Sequence, residues 1–134
     1  MSCFTNMRIK LEQRKKKKNL KKLELNKNIQ ELFSAIANED FRMASNIIKS
    51  GKVEIECEDH SRATPLIAVC RIPNCYNEKE RMSFVKFLFQ NGASPFVIDK
   101  RKRSSNVYAE ENNLTELALY LNKKMEVYLL ETCF

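Results

Sequence analysis

The tripeptide Thr64-Pro65-Leu66 constrains this chain more than any other stretch, because its local chemistry alone makes a helix start. The Thr64 hydroxyl can accept from an unpaired amide of the first turn. Pro65 then falls at the first helical position, where its missing N–H costs nothing and its fixed φ suits the turn. Leu66 opens an apolar run that continues through Ala68, Val69 and Cys70. Further on, Phe84, Val85, Leu88 and Phe89 recur at helical spacing and form an inward stripe. Gly92 can supply the left-handed residue that stops such a helix. One capped helix and one glycine-stopped helix predict a helical hairpin between Thr64 and Gly92.

This hairpin resembles an ankyrin repeat, whose pattern runs D-x-x-G-x-T-P-L-H-x-A-A, then V-V-x-x-L-L-x-x-G-A. Asp59, Thr64, Pro65, Leu66, Val85, Leu88, Gly92, Ala93 and Asp99 match it. Ile67 stands in place of the histidine, and Arg62 in place of the glycine before T-P-L. The stretch from Thr64 to Gly92 is about seven residues longer than the family's roughly 33-residue unit allows. The surplus falls between Arg71 and Glu80, so a lengthened surface loop over 71–81 is expected there, without much packing.

Two further units follow from the same register. Aligning Gly51 with Gly92 puts Leu32, Ala35, Ile36, Ala44, Ile47 and Ile48 on the pattern's apolar positions. A degenerate third unit begins at Asp99, where Ser104-Ser105-Asn106 replaces T-P-L and Lys102 replaces the turn glycine. Its stripe runs through Leu114, Leu117, Ala118 and Leu121 to Met125, Tyr128 and Leu129. Asn106 puts a polar group at an apolar position, as expected of a terminal repeat that faces solvent. Between the first two units, residues 52–62 alternate apolar and polar, the period of an extended finger. The resemblance implies an all-α, ankyrin-type solenoid of about three repeats over residues 29–134. Helices are expected near 30–37, 41–49, 65–71, 82–90, 105–111 and 115–130.

Charge separates the rest of the chain from these units. Residues 1–28 hold ten Lys or Arg against two Glu, whereas residues 29–134 hold 14 against 15. The segment has no Gly or Pro from Met7 to Asn28, and good helix formers dominate it. Arg14, Lys15, Lys16, Lys17 and Lys18 are five like charges in a row, followed by Lys21 and Lys22. Such a block repels itself, so residues 1–28 are expected to form a basic extension, disordered or helical to a fluctuating extent and firmer from Asn19. It reads as a solubilising tail, an import signal, or a contact to nucleic acid or an anionic surface through residues 8–22.

Catalysis finds little footing. The single histidine, His60, lies in the extended finger, and Gly51 and Gly92 cannot make a phosphate-cradling loop. Cys57, His60, Cys70 and Cys75 have the right softness for zinc, but the repeat register separates them, and Cys70 reads as a small core residue. Metal, cofactor and enzymatic activity are therefore not expected. The five cysteines show no framework spacing and read as reduced. No apolar run spans a bilayer, and the first residues lack the apolar core of a secretory signal. Together these predict an intracellular protein, cytoplasmic or nuclear.

Ankyrin repeats are recognition scaffolds, so the resemblance implies a protein partner held on a concave face of finger tips and first helices. Here that face is expected to include Glu56, Glu58, His60, Ser61, Arg62, Arg71, Lys100, Arg101 and Arg103. The alternative is a nuclear or nucleic-acid-associated protein in which the Lys-rich segment carries binding or import.

Overall fold

The computed structural model describes residues 2–133, with side chains described for residues 5–132. These residues form six helices: α1 (Ser2–Ala37), α2 (Phe41–Lys49), α3 (Pro65–Cys70), α4 (Glu78–Gln90), α5 (Ser105–Glu111) and α6 (Thr115–Cys133). Neighbours in sequence pack as pairs, α1 with α2, α3 with α4 and α5 with α6. The pairs associate in turn, since α3 packs on both α1 and α5, and α4 packs on α2. The core lies along these contacts, with Leu32, Ile36, Leu66, Ile67, Val69, Val85, Leu88 and Leu121 nearly or fully buried. Stacked rings of Phe41 and Phe84, 5.3 Å apart, join α2 to α4, and Phe89 against Tyr120 joins α4 to α6.

Helix α3 begins as its sequence requires. Thr64 is the N-cap, its hydroxyl accepting from Ile67 N at 3.4 Å, and Pro65 opens the first turn. The backbone outside the helices repeats as well. Among the described residues the left-handed φ values fall in three pairs: Glu39 (61°) with Asn113 (56°), Arg62 with Lys102 (both 61°), and Gly51 (76°) with Gly92 (92°). The first pair turns α1 into α2 and α5 into α6. The second sits in the two fingers, and the third ends α2 and α4. The middle helical pair has no equivalent of Glu39 because residues 71–77 take the place of that turn.

Two expectations are refined. The basic segment takes the helical of its two expected forms: α1 runs unbroken from Ser2 through the boundary at residue 28 into the packed units. Nucleation is the costly step of helix formation, and propagation through good formers is cheap. The buried end at Leu32, Ala35 and Ile36 supplies the nucleus, and a segment without Gly or Pro extends it despite the like charges.

The loop over 71–81 is also shorter and better fastened than expected. Helix α4 starts at Glu78, where Asn77 is the N-cap and its side chain accepts from Lys79 N and Glu80 N. Arg81 is almost fully buried and donates to the carbonyls of Val69 (3.4 Å) and Ile72. Its Nε and Nη2 meet the Glu78 carboxylate at 3.2 and 2.5 Å. A buried arginine thus closes the C-terminal end of α3, where carbonyls are left without intrahelical partners. Pro73, Asn74 and Tyr76 remain exposed, while Ile72 and Cys75 pack against the core.

The third pair differs from the first in polarity. In the register of the turns, Leu32, Ile36 and Ile48 of the first pair correspond to Asn106, Glu110 and Asn122. The three apolar side chains are buried, whereas the polar three are bonded to one another. Asn106 donates to Asn122 Oδ1, and Asn122 donates to Glu110 Oε1, each at 3.1 Å. Polar groups in these positions satisfy each other's hydrogen bonds in place of apolar burial. Helix α6 continues past Leu121 to Cys133, and Leu129 there is exposed rather than part of the core.

Candidate recognition surface

Each finger is built around one carboxylate. Oδ1 of Asp59 accepts from the amides of Ser61 (2.8 Å) and Ala63 (3.0 Å) and from the Ser61 hydroxyl. Oδ1 of Asp99 accepts from the amides of Arg101 (2.9 Å) and Arg103 (3.1 Å). Aspartate suits this task because its short side chain reaches the backbone two residues on. Each turn is closed by a backbone pair, Asp59 N to Ala63 O and Asp99 N to Arg103 O. The fingers also touch, since Lys100 N donates to Ser61 O at 3.0 Å.

The second carboxylate oxygen ties each finger to a helix. Arg71, the C-cap of α3, donates to Asp59 Oδ2 and to Ser61 Oγ, both at 3.0 Å. In the next finger the Tyr108 hydroxyl of α5 donates to Asp99 Oδ2. Burial alone would push the Asp59 carboxyl up, but the Ser61 hydroxyl, the Ala63 amide and the Arg71 guanidinium outweigh it and hold it below the usual range. Burial is likewise overcome at Asp99, by the Tyr108 hydroxyl and then by the Arg103 and Arg101 amides. Burial and the facing Asp99 push the Tyr108 phenol up.

Between the fingers lies a cavity of about 620 Å³, lined by Asp59, His60, Ser61, Arg71, Asp99, Lys100, Arg101 and Tyr108. Five of the nine residues expected on the recognition face therefore meet at one place: His60, Ser61, Arg71, Lys100 and Arg101. A second concavity of about 570 Å³ adjoins it across His60, where Asn26, Gln30, Ser34 and Phe33 of α1 face Glu58 and Asp59. Arg62 is exposed on the finger, and Glu58 is exposed at the rim. Glu56 points inward, its Oε1 accepting from Ser94 N at 3.1 Å, and burial pushes its carboxyl up. Arg103 is engaged elsewhere, paired with Glu111 at 2.5 Å and lying over the Tyr108 ring.

The charges left over decide the chemistry of the cavity. Asp59 and Asp99 are satisfied, and Arg71 is spent on Asp59. Lys100 and Arg101 are exposed, and no ion pair among the described residues holds either of them. The cavity thus offers free cations above a floor of fixed hydrogen bonds. Asp59, Asp99 and Tyr108 were not among the expected surface residues; the repeat of Asp at the head of both fingers was the available sign.

The basic side chains Arg14, Lys15, Lys16, Lys17, Lys18, Lys21 and Lys22 all stand exposed on α1, away from this cavity's lining. Of the sulfur and imidazole groups once considered together, Cys70 is fully buried and burial pushes its thiol up to about 12. Cys57 is half-buried and pushed up by the same cause to about 11. Among the described residues no three His, Cys, Asp or Glu side chains come together as metal ligands, and no helix is long and apolar enough to cross a membrane. No protein-family model matches the chain, and no curated protein matches it.

Proposed function

We propose that the stacked helical pairs are an ankyrin-type, non-catalytic recognition module that binds a protein partner across its fingers and inner helices. The observation that carries this reading is the recurrence of the Asp-centred finger, forty positions apart, with the tips of both copies around one cavity. Fingers braced by partly buried hydrogen bonds hold their exposed side chains in place before any partner arrives, which lowers the ordering cost of binding. With Lys100 and Arg101 as the free charges at the cavity, and Arg62 beside them on the first finger, the partner supplies an acidic segment there. Complementary charge of this kind sets the encounter rate and the choice of partner more than the final affinity.

The test is capture of a partner by the full chain, compared with Arg62→Glu/Arg101→Glu at two salt concentrations. Both side chains are exposed, so the double variant should unfold at an unchanged temperature. A lost or much weakened capture by the folded double variant supports the proposal. Normal capture by that variant refutes it, as does loss of capture when only the lysines of α1 are changed.

A further inference from the structure

The outward face of α6 carries a pattern that the packed units do not use. The inward side of this helix is the stripe of Leu117, Ala118 and Leu121, all buried. On the far side Leu119 and Leu130 retain 65% and 60% of their exposure. Lys123 and Glu126 stand exposed between them, and no ion pair among the described residues holds either. Single apolar side chains on a surface are ordinary, so the spacing has to distinguish these.

Leu119, Lys123, Glu126 and Leu130 are separated by four, three and four residues, the intervals of a coiled-coil seam. At about 100° per residue they lie within about 60° of one another, and the middle of the seam points roughly opposite to the buried stripe. Val127 and Leu129, exposed and apolar as well, take positions that flank such a seam, where charged residues are usual. The core lies behind α6 as seen from this face, so a second helix can approach it.

The pattern is its own complement. Two copies of α6 laid antiparallel about a twofold axis, midway between Lys124 and Met125, bring Leu119 against the partner's Leu130. Lys123 then faces the partner's Glu126, and the symmetry makes each contact twice. Laid parallel, Lys123 would face the partner's Lys123 and Glu126 the partner's Glu126, and opposed like charges disfavour that arrangement. Charge thus selects both the occupant of this face and its direction.

We propose that the outward face of α6 is a self-association surface, through which two copies of this chain pair antiparallel along residues 119–130. Four leucines and two ion pairs make a small interface, so the dimer is weak and forms in proportion to concentration.

The experiment is sedimentation equilibrium of the full chain up to about 1 mM, the weak end of specific association. It is run in about 0.15 M salt, where the cations of α1 are screened beyond roughly 8 Å. A monomer–dimer equilibrium is expected. Leu119→Gln/Leu130→Gln should weaken it at least roughly tenfold, because the apolar contact is lost. Lys123→Glu alone and Glu126→Lys alone each oppose like charges across the axis, so each should shift the chain towards monomer. The double variant Lys123→Glu/Glu126→Lys should restore the dimer. An equimolar mixture of the two single variants should also pair, since each supplies the charge that the other lacks. All four side chains are exposed, so thermal unfolding should show every variant folded. A chain that stays monomeric at the highest concentration, a dimer indifferent to the leucine changes, or a mixture of the single variants that does not pair would each overturn the proposal.

Discussion

The two fingers share a backbone and differ in how they are held. Both place an aspartate at the head of the turn, both put a non-glycine residue at φ 61°, and both satisfy two backbone amides through Oδ1. The first finger is then tied by an ion pair, Asp59 with Arg71, whose side chains retain 13% and 32% of their exposure. The second is tied by a neutral donor, Tyr108, to Asp99, which is only 5% exposed. A single turn design therefore accepts either a charged or an uncharged brace, and burial selects between them. A guanidinium near solvent keeps its hydration, whereas a phenol can be buried against a carboxylate without stranding a second charge.

The largest expected effect comes from removing the carboxylates. Asp99→Ala leaves two amides and a buried hydroxyl without their acceptor, and should destabilise by about 2–4 kcal/mol. Asp59→Ala also strands two amides, but water reaches its partly exposed surroundings, so about 1–2 kcal/mol is expected. Urea unfolding of both variants measures this directly. A greater loss for Asp59→Ala would mean that the ion pair, not the buried tie, is the stronger brace.

Acid should act on both fingers in the same direction. Each carboxyl is held below its unfolded value, so each contributes stability that is complete above the unfolded carboxylate range. In acid the unfolded chain binds the extra protons, so stability falls as pH drops from about 5 through the folded values. In Asp99→Asn the stability lost over that range should be smaller than in the parent, with the remainder due largely to Asp59. Added salt should weaken the first finger more than the second, because only the first relies on a partly exposed ion pair. An unchanged pH profile in Asp99→Asn would remove the second carboxylate from the account.

What could be read in advance follows the range of the interaction responsible. The start of α3 was legible because an N-cap and a proline act over three residues, and Thr64 does accept from Ile67. The glycine ends of α2 and α4 were legible for the same reason. Arg81 was not, because its acceptors, Val69 and Ile72, meet it only once the chain has turned back. Its sole local sign was Glu78 one turn before it. The choice between a helical and a disordered α1 was left open for a related cause: local charge favours fraying, and a distant buried end favours the helix. In the cavity, Lys100, Arg101, His60, Ser61 and Arg71 came from the repeat register, whereas Tyr108 was not among the residues expected there. The braces of the fingers are contacts between a turn and a helix, and spacing alone does not display them.

The smallest expected effect tests what the fingers have in common. Arg62 and Lys102 both sit at φ 61°, where an L-residue's Cβ crowds the backbone at a cost of about 1–2 kcal/mol. The ankyrin pattern has glycine at the equivalent of Arg62, and glycine adopts this conformation freely. Replacement also loosens the unfolded chain, which offsets roughly 0.5–1 kcal/mol of the relief. Arg62→Gly and Lys102→Gly should therefore each stabilise by about 0.5–1 kcal/mol, whereas the corresponding alanine variants keep the strain and should gain nothing. Both long side chains are exposed and unpaired among the described residues, so the two gains should agree within the error of thermal unfolding. A gain at one position and a loss at the other would show that the arginine or the lysine stabilises its finger through its side chain, and the equivalence of the two turns would fail.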